Sequence, residues 1–235
     1  MAERLAALER ARGEFVAKVS HDLRTPLTII KGYAYTLERR AATPEDAVRL
    51  AVIGRESDRL AALVDDLLTL SQAGAGALRV TPAPFPVREL LDEVAERVGA
   101  LAAGRGVELT VADSPPAVVV GDRRRLAQVL TNLTTNATRH TPAGGTVELR
   151  AAVAADGAVE LTVTDDGVGI DEAELPRLLR AFEHAGRSGG TGLGLAIAGE
   201  LVHAHGGSLD LARRPGGGTV ARACIPALRP ALLEP

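Results

Sequence analysis

Two stripes of apolar residues constrain what the first third of this chain can fold into. Val16, Val19, Leu23, Leu27, Ile30, Ala34 and Leu37 recur at spacings of three and four. Leu50, Ile53, Leu60, Val64 and Leu67 do the same, with Ser57 as a polar gap. That period gives a helix one apolar face, so residues 1 to about 72 read as two long helices. Between them, Thr43-Pro44-Glu45-Asp46 is a helix start: a hydroxyl cap, proline at the first helical position, then acids at the positive helix end. The result is a helical hairpin. Two helices enclose little core, so the hairpin is expected to pair with a second copy as a four-helix bundle.

From Ala73 the pattern changes. Ala73-Gly74-Ala75-Gly76-Ala77 and Thr81-Pro82-Ala83-Pro84-Phe85-Pro86 read as a linker flanking a short strand, because glycine frees the chain and proline stops helices. Beyond it, residues 87–100 read as helix, 107–111 and 118–120 as strands, and 122–137 as helix. Residues 146–153 and 159–164 alternate apolar and polar side chains around Asp156-Gly157, a hairpin signal. Residues 192–205 form an apolar helix ending at Gly206-Gly207, and 208–211 and 219–225 are strands flanking the turn Arg214-Pro215-Gly216-Gly217-Gly218. The expected class is α+β: a helical hairpin over 1–73, a linker over 74–86, then a domain over 87–228 with helices on one face of a mixed sheet.

Composition narrows the chemistry. A net charge of −3 and 2% aromatic residues argue against a nucleic-acid partner, which needs excess positive charge and rings for bases to stack on. The single cysteine, Cys224, forms no internal disulfide and gives no pointer to an oxidising compartment. No apolar run approaches the roughly 18–20 residues of a membrane-spanning helix. Residues 1–14 are charged throughout, unlike a signal peptide. The chain therefore reads as cytoplasmic in type.

His21 stands two residues past Val19 and two before Leu23, so helical geometry turns it off the apolar stripe. A lone surface histidine is usually only that. Its neighbours are less ordinary: Thr25 lies four residues on, and Pro26 sits inside the helical pattern, where it removes a backbone hydrogen bond. The proline is also readable as a plain structural kink. Imidazole, with an unperturbed pKa of about 6.5, keeps a neutral nucleophilic ring at cellular pH. A carboxylate such as Asp22 holds one ring nitrogen protonated and directs attack from the other.

The remaining motifs concern anions. The only lysines are Lys18 and Lys31, and no Gly-Lys pair occurs, which excludes a Walker-type phosphate loop. Gly189-Gly190-Thr191-Gly192-Leu193-Gly194-Leu195 does not fit the dinucleotide spacing. It does open a helix, whose first N–H groups bind anions; the plain alternative is a flexible loop. Asn132 and Asn136 share a helix face, and an amide oxygen suits Mg²⁺ when phosphates complete the shell, although two polar helix residues need no ligand. Arg139 and His140 follow as cations at the helix end. Asp165-Asp166-Gly167-Val168-Gly169-Ile170 ends a strand and turns sharply: a carboxylate to accept from an adenine amino group, glycines for close approach, or else a surface turn. His203 and His205 are two apart and share no helical face, so a helix-end role beside Gly206 is expected rather than a metal site.

The run Phe15-Val16-Ala17-Lys18-Val19-Ser20-His21-Asp22-Leu23-Arg24-Thr25-Pro26-Leu27 resembles the H-box of sensor histidine kinases of two-component systems. Gln128-Val129-Leu130-Thr131-Asn132-Leu133-Thr134-Thr135-Asn136-Ala137 resembles the N-box of that family. Residues 165–170 and 190–195 resemble its two glycine boxes, all in family order. The resemblance implies a dimerisation and histidine phosphotransfer hairpin followed by the ATP-binding sandwich also found in gyrase. It implies that His21 is autophosphorylated with Asp22 as base, and that Thr25 aligns water for phosphatase action. Asn136 would hold Mg²⁺, Asn132 and Arg139 would face the phosphates, and Asp165 would read adenine. His140, Gly167, Gly169 and Ile170 would line the ATP pocket, with Arg187, Thr191, Gly192, Leu193, Gly194 and Leu195 from the lid and the second glycine box.

The implied partners are a second copy of the chain and a response-regulator receiver domain. The implied location is cytoplasmic, including the cytoplasmic part of a membrane-bound sensor. Two departures stand out. His140 occupies a position where tyrosine is common, and Leu179-Arg180-Ala181-Phe182-Glu183-His184 is a reduced F-box before a short lid. They leave two rival readings open: an ATP-binding regulatory protein without kinase chemistry, and a degenerate kinase biased toward phosphatase action.

Overall fold

The fold is given by a computed structural model, which describes residues 2–113, 116–170 and 192–227. The chain divides into two compact units, Met1–Leu78 and Arg79–Pro235.

The first unit is the expected hairpin. Helix α1 (Ala2–Glu38) carries Pro26 inside it, and α2 (Pro44–Gly74) starts where the sequence indicates. Thr43 Oγ1 accepts from the Asp46 N–H at 3.1 Å, with Pro44 at the first helical position. Two ion pairs cross the hairpin, Arg24 with Asp65 and Lys31 with Asp58. Seven residues forward on α1 match seven backward on α2, so the helices run antiparallel in a fixed register. Each pair is about half exposed and contributes at most about 1 kcal/mol; their value is in register. The polar gap at Ser57 is buried, and its hydroxyl donates to the Ile53 carbonyl at 2.9 Å.

The second unit contains β1 (Ala83–Pro86), α3 (Val87–Gly104), β2 (Glu108–Val111), β3 (Val118–Gly121), α4 (Arg123–His140), β4 (Thr146–Val153), β5 (Val159–Asp165), α5 (Gly194–Ala204), β6 (Ser208–Arg213) and β7 (Thr219–Ile225). Five strands form one sheet in the order β2-β4-β5-β7-β6, parallel only between β2 and β4. Its rows explain the alternation in the sequence. Ala151, Leu161 and Ala223 are paired neighbours, as are Leu149, Val163 and Ala221, and all six are buried. Against that face pack the apolar sides of the helices, including Leu91 and Val94 of α3, Leu130 and Leu133 of α4, and Ile197 and Leu201 of α5. Gly157 closes the β4–β5 hairpin at φ +85°, as the Asp-Gly pair requires.

One strand moves. The short strand expected between the two linker segments, at 78–80, forms instead at Ala83–Pro86, where it pairs antiparallel with β3. The prolines are tolerated because a two-stranded edge ribbon does not ask every N–H to bond. Asp122 anchors this region. Its Oδ1 accepts from the Arg125 N–H and caps α4, its Oδ2 accepts from the Thr81 N–H, each at 3.1 Å, and its own N–H donates to His205 Nε2 at 3.2 Å. With Nε2 accepting, the buried His205 ring carries its proton on Nδ1 and donates it to the Leu201 carbonyl, 2.7 Å away. His205 thus has the helix-end role read from the sequence, and it also joins α5 to α4.

Candidate functional site

The C-terminal turn of α4, the end of β5 and the start of β7 meet at one end of the sheet. Asp165 closes β5 and is 5% exposed. Its Oδ1 accepts from the Gly167 N–H at 3.0 Å and from the Thr219 N–H at 3.1 Å. Its Oδ2 has no hydrogen-bond donor among the described residues. Burial pushes the Asp165 carboxyl up, while the two N–H bonds and nearby His140 pull it down. Neighbouring Asp166 is used differently. Its oxygens accept from the Thr146 N–H at 2.7 Å and the Thr146 hydroxyl at 3.0 Å, tying β5 to β4. Of the two adjacent acids, Asp165 is the one with an oxygen that accepts no hydrogen bond among the described residues.

Close approach explains the glycines. A Cβ on Gly167 would stand 2.5 Å from the His140 carbonyl oxygen. On Gly218, at φ +89°, it would run into the Asp165 carbonyl. The Gly169 position, at φ +74°, lies against the Gly218 backbone. The turn at 166–169 is thereby wedged between the end of α4 and the glycine turn before β7, with Ile170 half-buried beside it.

On α4, Asn132 and Asn136 are both half-buried and diverge in use. Asn132 Nδ2 donates to the Gly194 carbonyl at 3.0 Å, joining α4 to the first residue of α5. The Asn136 amide makes no hydrogen bond among the described residues and remains available to a ligand. Arg139 and His140 lie on the last turn. Desolvation pushes the His140 ring down, Asp165 opposes this, and Arg139 and Arg105 add to it. At the start of α5, Gly192 takes φ +70°, the Leu193 side chain is fully buried, and Gly194 and Leu195 are half-buried. The Leu193 side chain is therefore part of the core rather than of a pocket wall. Arg187 and Thr191 lie outside the described residues.

His21, Asp22 and Thr25 belong to the other unit, within one and a half turns of α1 and just before Pro26. Asp22 and Thr25 are exposed.

Three contributors to this end of the sheet carry no mark in the sequence. Thr219 and Gly218 hold Asp165, and the Arg105 side chain reaches the end of α4. The glycine run before Thr219 is legible as a turn between strands, but nothing local marks it as a partner of Asp165. At the opposite end of the sheet, a shallow apolar concavity is lined by residues including Val159, Gly207 and Ile225. It is far from the motif residues, since β5 runs from Val159 there to Asp165 here.

Comparison with known proteins follows this division. Residues 11–76 match the family described as His Kinase A (phospho-acceptor) domain, and residues 121–229 match the histidine kinase-, DNA gyrase B- and HSP90-like ATPase family. The chain is 37% identical over 220 residues to the signal transduction histidine-protein kinase BarA of Escherichia coli, covering 89% of this chain and 24% of that protein. It is 35% identical over 223 residues to the phosphate regulon sensor protein PhoR of Pseudomonas aeruginosa, covering 92% and 50%.

Among solved structures, full-length ShkA in complex with AMPPNP superposes with a TM-score of 0.76 at 34% identity, over 92% of this chain and 47% of that one. A mycobacterial sensor histidine kinase, MprB, gives 0.54 at 32% identity, over 63% and 98%. The chain belongs to the sensor histidine kinase family: a phospho-acceptor helical domain followed by a domain of the gyrase-like ATPase type. It spans between a quarter and a half of the length of the curated relatives it matches.

Proposed function

We propose that this chain is the core of a protein-histidine kinase that takes the γ-phosphoryl group of ATP onto His21 and passes it to an aspartate of a response-regulator receiver domain. The observation that carries the reading is Asp165. It is a buried carboxylate held on one oxygen by two backbone N–H groups, with its other oxygen unclaimed, beside glycines that admit no side chain. That is an acceptor suited to an adenine amino group. The AMPPNP in the ShkA structure supports the same nucleotide class.

The residues present fit a nucleotide with its metal. Asn136 would hold Mg²⁺ through its unengaged amide oxygen, and the metal supplies charge neutralisation on the phosphates. Arg139 would supply a permanent positive charge, and His140 a ring whose pKa burial pushes below its ordinary value. Backbone N–H groups in the first turn of α5, at Gly194 and Leu195, would supply donors to the phosphates. Phosphoryl transfer depends chiefly on alignment and charge neutralisation, with little covalent chemistry asked of the protein. Asp22 would keep one nitrogen of His21 protonated so that the other attacks. Thr25 would align water for hydrolysis of the receiver's phosphoaspartate, which releases inorganic phosphate and restores the free aspartate.

A homodimer is part of the reading. Leu23, Ile30 and Leu37 on α1, and Ile53, Leu60 and Leu67 on α2, recur every seven residues and are 42–50% exposed in the single hairpin. A second hairpin would cover this seam as a four-helix bundle. No helix among the described residues is long and apolar enough to cross a membrane.

The test is incubation of the full chain with γ-labelled ATP and Mg²⁺. Acid-labile, alkali-stable label that disappears in His21→Gln is expected, and label undiminished in that variant would overturn the assignment. Label on wild type that fails to move to any receiver domain would leave phosphotransfer unsupported and favour a different output.

A further inference from the structure

The last four carbonyls of an α-helix have no partner inside it, and on α4 the last of the four, that of His140, lies against Gly167 in the turn after Asp165. The Ala137 carbonyl accepts from the Thr141 N–H at 3.0 Å and the Thr141 hydroxyl at 2.9 Å. The His140 carbonyl accepts from the Val168 N–H at 3.4 Å. The two between them are both taken by one side chain from another element. Arg105, in the turn after α3, donates Nε to the Thr138 carbonyl at 3.1 Å and Nη2 to the Arg139 carbonyl at 2.9 Å.

We propose that Arg105 is a positioning residue of the nucleotide site, fixing the last turn of α4, which bears Arg139, so that His140 is held in place near Asp165. A planar guanidinium matches two adjacent carbonyls as a single ammonium does not, and a cation at this helix end also meets the negative pole of the helix. Its own backbone is anchored to the same region. The next residue, Gly106, takes φ +68° and accepts from the Gly144 N–H at 2.7 Å, and the Glu108 N–H donates to the Gly145 carbonyl at 2.9 Å. The turn bearing Arg105 is therefore bonded to the segment that leaves α4, closing a small rigid loop behind the site. The Arg105 charge also acts on His140 in concert with Arg139 and against Asp165.

The inference rests on the nucleotide reading, and its test separates the two. Arg105→Met and Arg105→Lys are made in the full chain, with Arg88→Met, a surface partner of Asp92 on α3, as control. AMPPNP affinity and the His140 ring titration followed by NMR are both measured. Arg105→Met is expected to weaken AMPPNP at least about tenfold, as loss of a positioning contact does. Arg105→Lys should recover only part of that, and Arg88→Met should match wild type. Removing a like charge should also raise the His140 midpoint in Arg105→Met. Wild-type affinity with an unmoved His140 midpoint would overturn the proposal, and so would a loss of thermal stability alone. If wild type bound no AMPPNP, the nucleotide reading would fall. The role proposed for Arg105 would then fall with it, because a raised His140 midpoint by itself shows only that a nearby positive charge has gone.

Discussion

Asp165 and Thr219 are 54 residues apart in sequence and are joined by a 3.1 Å hydrogen bond from the Thr219 N–H to Asp165 Oδ1. The pairing of β5 with β7 makes this possible: the strands run antiparallel, so the last residue of one stands beside the first of the other. The carboxylate is thereby aimed by the sheet rather than by its own turn.

Gly218 sits directly on that contact. Gly218→Ala would place a methyl group against the Asp165 carbonyl and force a side chain into φ +89°. A loss of about 1–3 kcal/mol is expected from the backbone strain, with AMPPNP binding falling in parallel. Urea unfolding and nucleotide titration check both, and wild-type values would show that the turn relaxes freely.

Asp165→Asn separates accepting from donating. The amide oxygen can keep the bonds from Gly167 and Thr219, but an NH₂ group replaces the unclaimed acceptor. AMPPNP affinity should fall at least about tenfold, the scale of one mismatched buried polar contact. The pH behaviour has a definite sign. Burial raises the folded-state pKa of this acid above its unfolded value, so its stability contribution is present below the unfolded pKa and is lost as pH rises through the folded one. Melting temperatures of Asp165→Asn across pH 3–8 should lack that decline.

Asp66 gives a similar test in the hairpin. Burial and the adjacent Asp65 push its carboxyl from 3.8 up to about 6. The native state therefore holds a proton that the unfolded chain has released, and stability falls between those two values. Asp66→Asn should leave stability at pH 3.5 nearly unchanged and raise it by about 1 kcal/mol at pH 8, less than the full shift implies because water screens a half-buried group. Equal effects at both pH values would refute the assignment.

The ion pair of Arg24 with Asp65 is about half exposed on both sides. A double-mutant cycle of Arg24→Ala and Asp65→Ala should give a coupling of about 0.2–1 kcal/mol that weakens in 1 M salt. A coupling above about 2 kcal/mol would mean that the pair is desolvated, for example by a second hairpin.

Much of the fold is legible in the sequence because its causes are local. The helical stripes, the Thr43 cap, the Asp156-Gly157 turn and the alternation in β4 and β5 each follow from periods of 3.6 or 2, or from one residue's backbone preference, and each appears where the sequence indicates it. Helix ends are less legible. The pattern predicts helices over 87–100 and 122–137, whereas α3 and α4 continue to Gly104 and His140. In α4 the extra turn is held by Arg105, 33 and 34 residues from the carbonyls it caps.

By itself the sequence determined a helical hairpin carrying His21, an α+β domain after it, and the residue types that resemble a kinase core. Only the tertiary structure decided that β1 forms at Ala83–Pro86, and that, among the described residues, Asp165 rather than Asp166 keeps an oxygen without a donor and Asn132 rather than Asn136 is hydrogen-bonded. Each of those outcomes is a hydrogen bond or strand pairing between segments 20 to 62 residues apart. A local pattern carries no record of such a partner; only the folded sheet brings it within about 3 Å, the reach of a hydrogen bond.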